Sequence, residues 1–382
     1  MIARRCSFIG FFSALTLCAV ASQAPAATSF DNLFVFGDST VDSGWWAGAL
    51  ASPPQCGPVT APCETSGLSP PFPSGSHDAL ISAAIAAGGT PPANGAPVGA
   101  GNLMNTQILA ADFGISNFKP ANQGGTNYAI SGSLSAPVGS VGNLEPNTNL
   151  PSTMTQIASF LKANPTVDPS ALYLISSGGN DVTYASDHSL GTSFLSTQAS
   201  ALANEILDLQ KAGATSIVVY GLQSGLGLAP FMTSTLFSDL KTLGVNFLGL
   251  DIHGLIADVQ AHPGAYDPAL TTTSLGIVGT TTGSACVTQT GATSATGWGQ
   301  WCADTTTSSP NYAYLRNATA EETSLFADNQ HLSAAGQQIE AQFVFDEITG
   351  TPLPAALPLF ATGLGGLGLL GWRRKRKARA VA

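Results

Sequence analysis

Short apolar runs recur along the chain, each stopped by glycine, serine or aspartate. Leu33–Phe36 ends in Gly37-Asp38-Ser39. Leu172–Ile175 ends in Ser176-Ser177-Gly178-Gly179-Asn180-Asp181, Ile217–Tyr220 ends at Gly221, and Val245–Leu250 ends at Asp251. Runs of this length without polar alternation predict strands buried on both faces of a parallel sheet. Between them the period changes. Thr153–Lys162 puts Met154, Ile157, Ala158 and Leu161 on one helical face, and Phe194–Ala212 does the same with Leu195, Leu202, Ile206 and Leu209. Thr233–Leu243 and His253–Ala261 are further helical patterns, and Ser333–Ile348 is the last, with Ser333 as its N-cap. Strand–helix alternation predicts an α/β fold: a three-layer α/β/α sandwich around a central, mostly parallel sheet. In such a sheet ligands sit at the C-terminal ends of the strands. The residues just after the first two strands therefore have a positional claim before their chemistry is considered.

Two stretches break the rhythm. Ala51–Gly101 is rich in Pro, Gly, Ala and Ser, and Thr271–Pro310 is rich in Thr, Ser and Gly. Loops this long are expected either as rims or lids of a site or as solvated insertions. No repeat or linker divides the remainder, so residues 28–350 are expected to form one domain.

The two ends stand apart from that domain. Arg4 and Arg5 precede an apolar run from Phe8 to Ala21, and the small residues Ala24-Pro25-Ala26-Ala27 follow. This order reads as a secretory signal peptide over residues 1–27, with an apolar run too short to span a bilayer. At the other end, Thr351-Pro352-Leu353-Pro354-Ala355 leads into a Gly/Leu-rich stretch ending at Trp372, and Arg373-Arg374-Lys375-Arg376-Lys377 follows. An apolar stretch of that kind is long enough to form a transmembrane helix, and the basic cluster would hold the C-terminus on the cytoplasmic side. Residues 351–382 resemble the bacterial PEP-CTERM sorting signal in its Val-Pro-Leu-Pro-Ala form, with Thr351 where Val is usual. The resemblance implies export, transient anchoring in the inner membrane by the C-terminal helix, and processing by an exosortase-like transpeptidase. The expected location is the cell envelope or beyond it.

Setting the ends aside changes the charge. Of the 13 Lys and Arg, five remain in the body: Lys119, Lys162, Lys211, Lys241 and Arg316. All 23 acidic residues remain, giving a net charge of about −18. Such a surface repels nucleic acid and anionic membranes and suits a soluble, secreted body. Cys6 and Cys18 leave with the signal. Cys56, Cys63, Cys286 and Cys302 stay, and an even number outside the cytoplasm points to disulfides. Three connectivities are open, and pairing Cys56 with Cys63 and Cys286 with Cys302 would staple one loop each. Neither pair has zinc-ligand spacing and no His cluster lies nearby, so no metal site is expected.

A hydroxyl nucleophile needs a base to take its proton, a third group to hold the base, and donors for the oxyanion that forms. Ser39 follows the first strand directly. Asp328-Asn329-Gln330-His331 precedes the last helix, and three-residue spacing lets Asp328 receive one ring N–H while the other ring nitrogen faces a serine. His77, His188, His253 and His262 lack such a setting.

Gly37-Asp38-Ser39, Gly125-Thr126-Asn127-Tyr128-Ala129-Ile130-Ser131-Gly132-Ser133, Gly178-Gly179-Asn180-Asp181 and Asp328-x-x-His331 stand in the order of the blocks of the SGNH, or GDSL-like, lipase/esterase family. The chain resembles that family over roughly residues 31–348. It departs from it at Thr40, where Leu is common after the serine. The resemblance implies a flavodoxin-like sandwich and a serine hydrolase acting on ester bonds without cofactor or metal. It implies the roles of Ser39 as nucleophile, His331 as general base and Asp328 as its orienting partner. The oxyanion donors would be the N–H groups of Ser39 and Gly132 and the amide of Asn180. The substrate would be an ester of a lipid or an acylated glycan. Asp181, Asp42 and Asp38 are expected to fix turns. Two other readings remain open: an O-deacetylase of extracellular polysaccharide using the same site, and a catalytically silent surface or biofilm matrix protein.

Overall fold

The four apolar runs form one parallel sheet in a computed structural model that describes residues 29–45, 103–138, 151–225, 227–270, 283–287 and 314–350. Strands β1 (Leu33–Gly37), β2 (Leu172–Ser176), β3 (Ser216–Tyr220) and β4 (Leu248–Leu250) lie side by side in chain order. Leu33 stands against Leu172, Leu172 against Ser216, and Val218 against Leu248. Beyond β1, the Val35 N–H donates to the Thr126 carbonyl at 3.2 Å and the Val35 carbonyl accepts from the Tyr128 N–H at 2.8 Å. A short extended segment thus stands where a further strand would. The helices are α1 (Asn105–Asp112), α2 (Thr153–Ala163), α3 (Gly179–Asp187), α4 (Thr192–Lys211), α5 (Ala229–Thr242), α6 (Ile252–Ala261), α7 (Pro263–Tyr266), α8 (Ala320–Thr323) and α9 (Ala334–Thr349).

Alternate strand residues face opposite ways, and both faces are covered. Leu33, Val35, Leu172, Leu174, Val218 and Tyr220 pack with α1, α6 and α9. Phe36, Tyr173, Ile175, Ile217 and Val219 pack with α2, α3, α4 and α5. Burial on both sides explains why the strands read as unbroken apolar runs. Phe160 on α2 anchors the second face. Its ring lies 4.9 Å from Phe34 and 5.4 Å from Phe36, at tilted and edge-on angles that aromatic pairs favour. The expected α/β/α sandwich is therefore the fold.

Local chemistry sets the boundaries. The Ser152 Oγ accepts from the Thr155 N–H at the start of α2, and the Ser333 Oγ accepts from the Gly336 N–H at the start of α9. Each such cap contributes about 1 kcal/mol. Two boundaries depart from the sequence expectation by more than two residues. Helix α5 begins at Ala229 rather than Thr233, because Pro230 sits in its first turn, where a missing N–H costs nothing. Strand β4 is confined to Leu248–Leu250 rather than running from Val245. Gly244, at φ +73°, closes α5: its N–H reaches the Lys241 carbonyl at 3.1 Å and the Val245 N–H reaches the Leu240 carbonyl at 2.9 Å. Val245 is thereby consumed by the helix cap and cannot pair in the sheet.

A small ladder of β5 (Cys286–Val287) and β6 (Tyr314–Leu315) supports the loop that leads to α9. The Ala285 N–H donates to the Phe326 carbonyl at 2.8 Å and the Cys286 N–H to the Ala327 carbonyl at 3.0 Å. Cys286 is disulfide-bonded, to a partner outside the described residues. Cys56, Cys63 and Cys302 also lie outside them, as do most of both long loops, the expected signal at residues 1–27 and residues 351–382. Among the described residues no helix is long and apolar enough to cross a membrane; the expected C-terminal span is not one of the described segments.

Candidate active site

Strand β1 delivers Ser39 through a turn fixed at every step. Gly37 has φ +153°, and a Cβ there would lie 2.0 Å from the Ser176 carbonyl oxygen of the neighbouring strand, so only glycine fits. The Asp38 N–H then donates to that same carbonyl at 3.2 Å. The Asp38 carboxylate turns back to accept from the Thr40 N–H at 3.0 Å and the Thr40 hydroxyl at 2.8 Å. The Thr40 Oγ1 also lies 2.7 Å from the Ser176 Oγ. Thr40, where the sequence departs from the pattern it resembles, thus ties the Ser39 turn to β2.

Asp328 and His331 come from the loop before α9, and their pairing is local. Asp328 Oδ1 accepts from the backbone N–H of Gln330 at 2.8 Å and of His331 at 2.7 Å, folding the loop into a turn. Asp328 Oδ2 lies 2.8 Å from His331 Nδ1. His331 Nε2 lies 2.9 Å from the Ser39 Oγ. An ionised carboxylate only accepts, so Nδ1 carries the proton and Nε2 is left to accept from the serine hydroxyl. Burial pushes the Asp328 carboxyl up, but the charge of His331 and the bonds from His331 and Gln330 outweigh it and hold the group below the ordinary carboxylate range. All three side chains are buried, with 8, 4 and 4 % exposure for Ser39, Asp328 and His331.

Asn180 is the second residue of α3, which starts after Gly178 at φ +122°. Its block, Gly178 to Asp181, therefore opens a helix as well as a turn. Asn180 and Ser39 line one open cavity of about 190 Å³. The Asn180 Nδ2 donates to the Ser133 carbonyl at 2.9 Å, which fixes the plane of the amide and leaves its second hydrogen available. Gly132, at φ +95°, precedes Ser133 in the buried segment beside β1. Among the described residues none accepts from the N–H of Ser39 or of Gly132.

Asp42 does more than fix a turn. Its Oδ1 accepts from the Gly44 and Trp45 N–H groups, both at 2.8 Å. Its Oδ2 accepts from the Ser131 N–H at 2.8 Å and the Ser131 Oγ at 2.7 Å, joining the Ser39 loop to the Gly132 segment. Asp181 plays a similar part for α3, accepting from the Ser135 N–H at 3.0 Å and the Ser135 Oγ at 2.9 Å. Burial raises its carboxyl to about 7, against the Ser135 bonds that lower it.

The sequence reading missed a set of buried amides that brace this site. Asn105 Nδ2 donates to the Thr40 carbonyl at 2.9 Å and to the Gln337 Oε1 at 2.7 Å, tying the nucleophile loop to α9. Asn127 Nδ2 reaches the Val41 carbonyl at 2.8 Å and the Ser43 Oγ at 2.9 Å. Only Asn127 had a sequence signal, its place in the Gly125–Ser133 block. The remaining cavity lining includes Val182, Thr183, Leu222, Gln223, Asn329 and Gln330, and among the described residues no Lys or Arg lines it. Among the described residues no cluster of His, Cys, Asp or Glu could hold a metal ion.

A serine hydroxyl, a histidine held by a buried carboxylate, and free N–H donors at the strand ends of a parallel sheet are the groups that acyl transfer calls for. The family model described as GDSL-like lipase/acylhydrolase matches residues 33–344, and the chain belongs to that family. Its membership supports a hydrolase acting on esters. Comparison with curated proteins returns no match.

Proposed function

We propose that the chain is an exported serine esterase that hydrolyses carboxylic esters through an acyl-Ser39 intermediate. The observation that carries this reading is the unbroken relay from the Ser39 Oγ through both ring nitrogens of His331 to Asp328, opening on a cavity shared with Asn180. His331 takes the Ser39 proton as the hydroxyl attacks the ester carbonyl. The oxyanion is received by the N–H groups of Ser39 and Gly132 and by the Asn180 amide, each worth about 3 kcal/mol in the transition state. His331 then protonates the leaving alcohol, water attacks the acyl-serine with His331 again as base, and the acid leaves. Asp328 holds the tautomer and stabilises the imidazolium throughout.

The test compares the purified protein with its Ser39→Ala variant on p-nitrophenyl acetate, butyrate and palmitate and on an acetylated polysaccharide. Ser39-dependent turnover supports the reading. A folded protein that turns over none of them, and whose Ser39 resists a fluorophosphonate, is instead a silent surface or matrix protein.

A second reading, O-deacetylation of an extracellular glycan, is favoured by the cavity wall. Asn180, Gln223, Asn329 and Gln330 are among its lining residues, and among the described residues no Lys or Arg is, a composition suited to the hydroxyls of a neutral sugar. Preference for the polysaccharide in the same assay would select it. Export by the signal at residues 1–27, transient anchoring by residues 351–382, exosortase-like processing, and the pairings Cys56–Cys63 and Cys286–Cys302 belong to the same proposal. Mass spectrometry of the mature protein reads both termini and, after digestion, both pairings.

A further inference from the structure

We propose that Gln156, on α2 and outside every motif of the site, is a positioning residue that sets the spacing between the nucleophile turn and the oxyanion donors. The proposal rests on the roles given above to Ser39, Gly132 and Asn180. The Gln156 side chain is 4 % exposed and makes four bonds. Its Oε1 accepts from the Gly37 N–H at 2.9 Å, and its Nε2 donates to the Gly37 carbonyl at 3.0 Å. The same Nε2 lies 3.2 Å from the Ser133 Oγ and 3.2 Å from the Pro151 carbonyl. A carboxamide is the side chain that offers a donor and an acceptor in the geometry of a peptide. Gln156 therefore pairs with Gly37 as a neighbouring strand would, at the point where β1 leaves the sheet. The reciprocal pair also fixes which way the amide is turned, because the Gly37 N–H needs an acceptor and its carbonyl a donor.

Two of the three partners of Gln156 lie within two residues of the groups that matter. Gly37 lies two residues before Ser39. Ser133 follows Gly132 directly, and its carbonyl holds the Asn180 amide at 2.9 Å. One buried amide thus touches the backbone that carries the first oxyanion donor and the residue that flanks the second and orients the third. Gly37 is locked against β2 and cannot shift alone, since even a Cβ would collide with the Ser176 carbonyl. Movement of the Ser133 segment relative to Gly37 therefore changes the gap between donors, and Gln156 spans that gap from the α2 side, while Asp42 ties the same segment to the other side of Ser39 through Ser131.

The test is a double-mutant cycle. Gln156→Leu keeps the bulk and removes all four bonds, while Gln156→Glu keeps the acceptor for the Gly37 N–H and guards against a Leu variant that does not fold. For esters of the wild-type protein's preferred acyl group, Gln156→Leu should lower kcat about 30- to 100-fold with KM within about twofold, a loss comparable to that of one oxyanion donor. Gln156→Glu should fall between it and wild type. In an Asn180→Ala background the same substitutions should cost about fivefold or less, because part of what Gln156 aligns is already gone. Equal losses in both backgrounds, a loss confined to KM, or a lowered melting temperature with kcat unchanged would overturn the proposal and leave Gln156 as a strand cap. An inactive wild-type protein with an unlabelled Ser39 would sink the esterase reading and this proposal together. An active wild type with additive Gln156 effects would sink this proposal alone.

Discussion

The two halves of the site are built in opposite ways. The Asp328–His331 half is assembled within four residues: one carboxylate gathers two backbone N–H groups and the imidazole of its own turn. The Ser39 half is held by side chains that are distant in sequence. The Asn105 amide donates both to the Thr40 carbonyl and to the Gln337 Oε1 232 positions away, Asp42 crosses 89 positions to Ser131, and Gln156 crosses 119 to Gly37. The pairing within the first half needs only its own turn, although the segment before β5 steadies the loop from outside through Ser284 and Ala285. The second exists only once the sheet and three helices have closed around it. Chemistry is therefore expected to be lost by single changes in the local half. In the distributed half, single changes should first cost stability or alignment.

The largest effect tests the local half. His331→Ala removes the base, and kcat should fall on the order of 10⁵-fold with the melting temperature little changed, as expected when one member of a catalytic unit is deleted. Asp328→Ala should cost somewhat less, about 10⁴-fold, since the imidazole persists in a wrong tautomer or orientation. Steady-state kinetics on the preferred p-nitrophenyl ester reads both. If Asp328→Ala left kcat within tenfold of wild type, the turn would be structural and another group would orient His331.

Asn180→Ala lies at the boundary between the halves, because its own block is local but its amide is oriented by the Ser133 carbonyl. The expected loss is about 10²- to 10³-fold in kcat with KM preserved, since the bond to the oxyanion strengthens only in the transition state. A rise in KM without a fall in kcat would make Asn180 a substrate-binding residue instead.

Asn105→Leu tests the distributed half. It leaves the Thr40 carbonyl and the Gln337 Oε1 buried without that donor, at a cost of about 2–3 kcal/mol in stability. Urea denaturation should show the loss, and kcat of the folded fraction should change by less than about tenfold, well short of the effect of losing His331. A collapse of activity with stability intact would mean that the distributed half acts on chemistry as directly as the local one.

The same contrast explains what the sequence made legible. The strand cores, α2, α4 and the Asp328–His331 spacing depend on neighbours within a few positions, and hydrophobic period and short motifs report such neighbours directly. The resemblance to the family pointed to Ser39, Gly132 and Asn180, but their bracing did not follow from it. Gln156 sits on α2 beside the apolar positions Ile157 and Phe160 and reads there as an ordinary polar helix residue. Asn105 opens α1, eight residues with only Ile108 and Leu109 as large aliphatics, too short for a period to declare itself. Gly178-Gly179-Asn180-Asp181 carries a turn signal strong enough to hide the helix it begins. Val245 looks like strand in composition, and only the cap around Gly244 withdraws it.

A smaller effect probes a carboxyl on the wall behind the cavity. Glu340, on α9, is fully buried, and its Oε2 accepts from the Nε2 of the cavity-lining Gln223 at 3.1 Å. Burial raises its carboxyl to about 8, against the Gln223 bond that lowers it. A carboxyl whose folded value lies above its unfolded one favours folding most below the unfolded value, and loses that contribution as pH rises toward the folded one. Glu340 is thus neutral in the folded protein at pH 6 and ionised in the unfolded chain. Between pH 6 and 8 the wild-type protein should lose roughly 2 kcal/mol of stability through this one group. Asp181, raised to about 7, adds a decline over the lower part of that range. Glu340→Gln, which cannot ionise, should remove the first share only, so its stability should fall less steeply with pH than that of wild type. Urea denaturation of both proteins at pH 6, 7 and 8 reads the difference. Parallel curves would mean that Glu340 is ionised in the folded state across the whole range. Gln223 would then be held by a charge, as Asp328 holds His331, and the wall behind the cavity would share the logic of the local half.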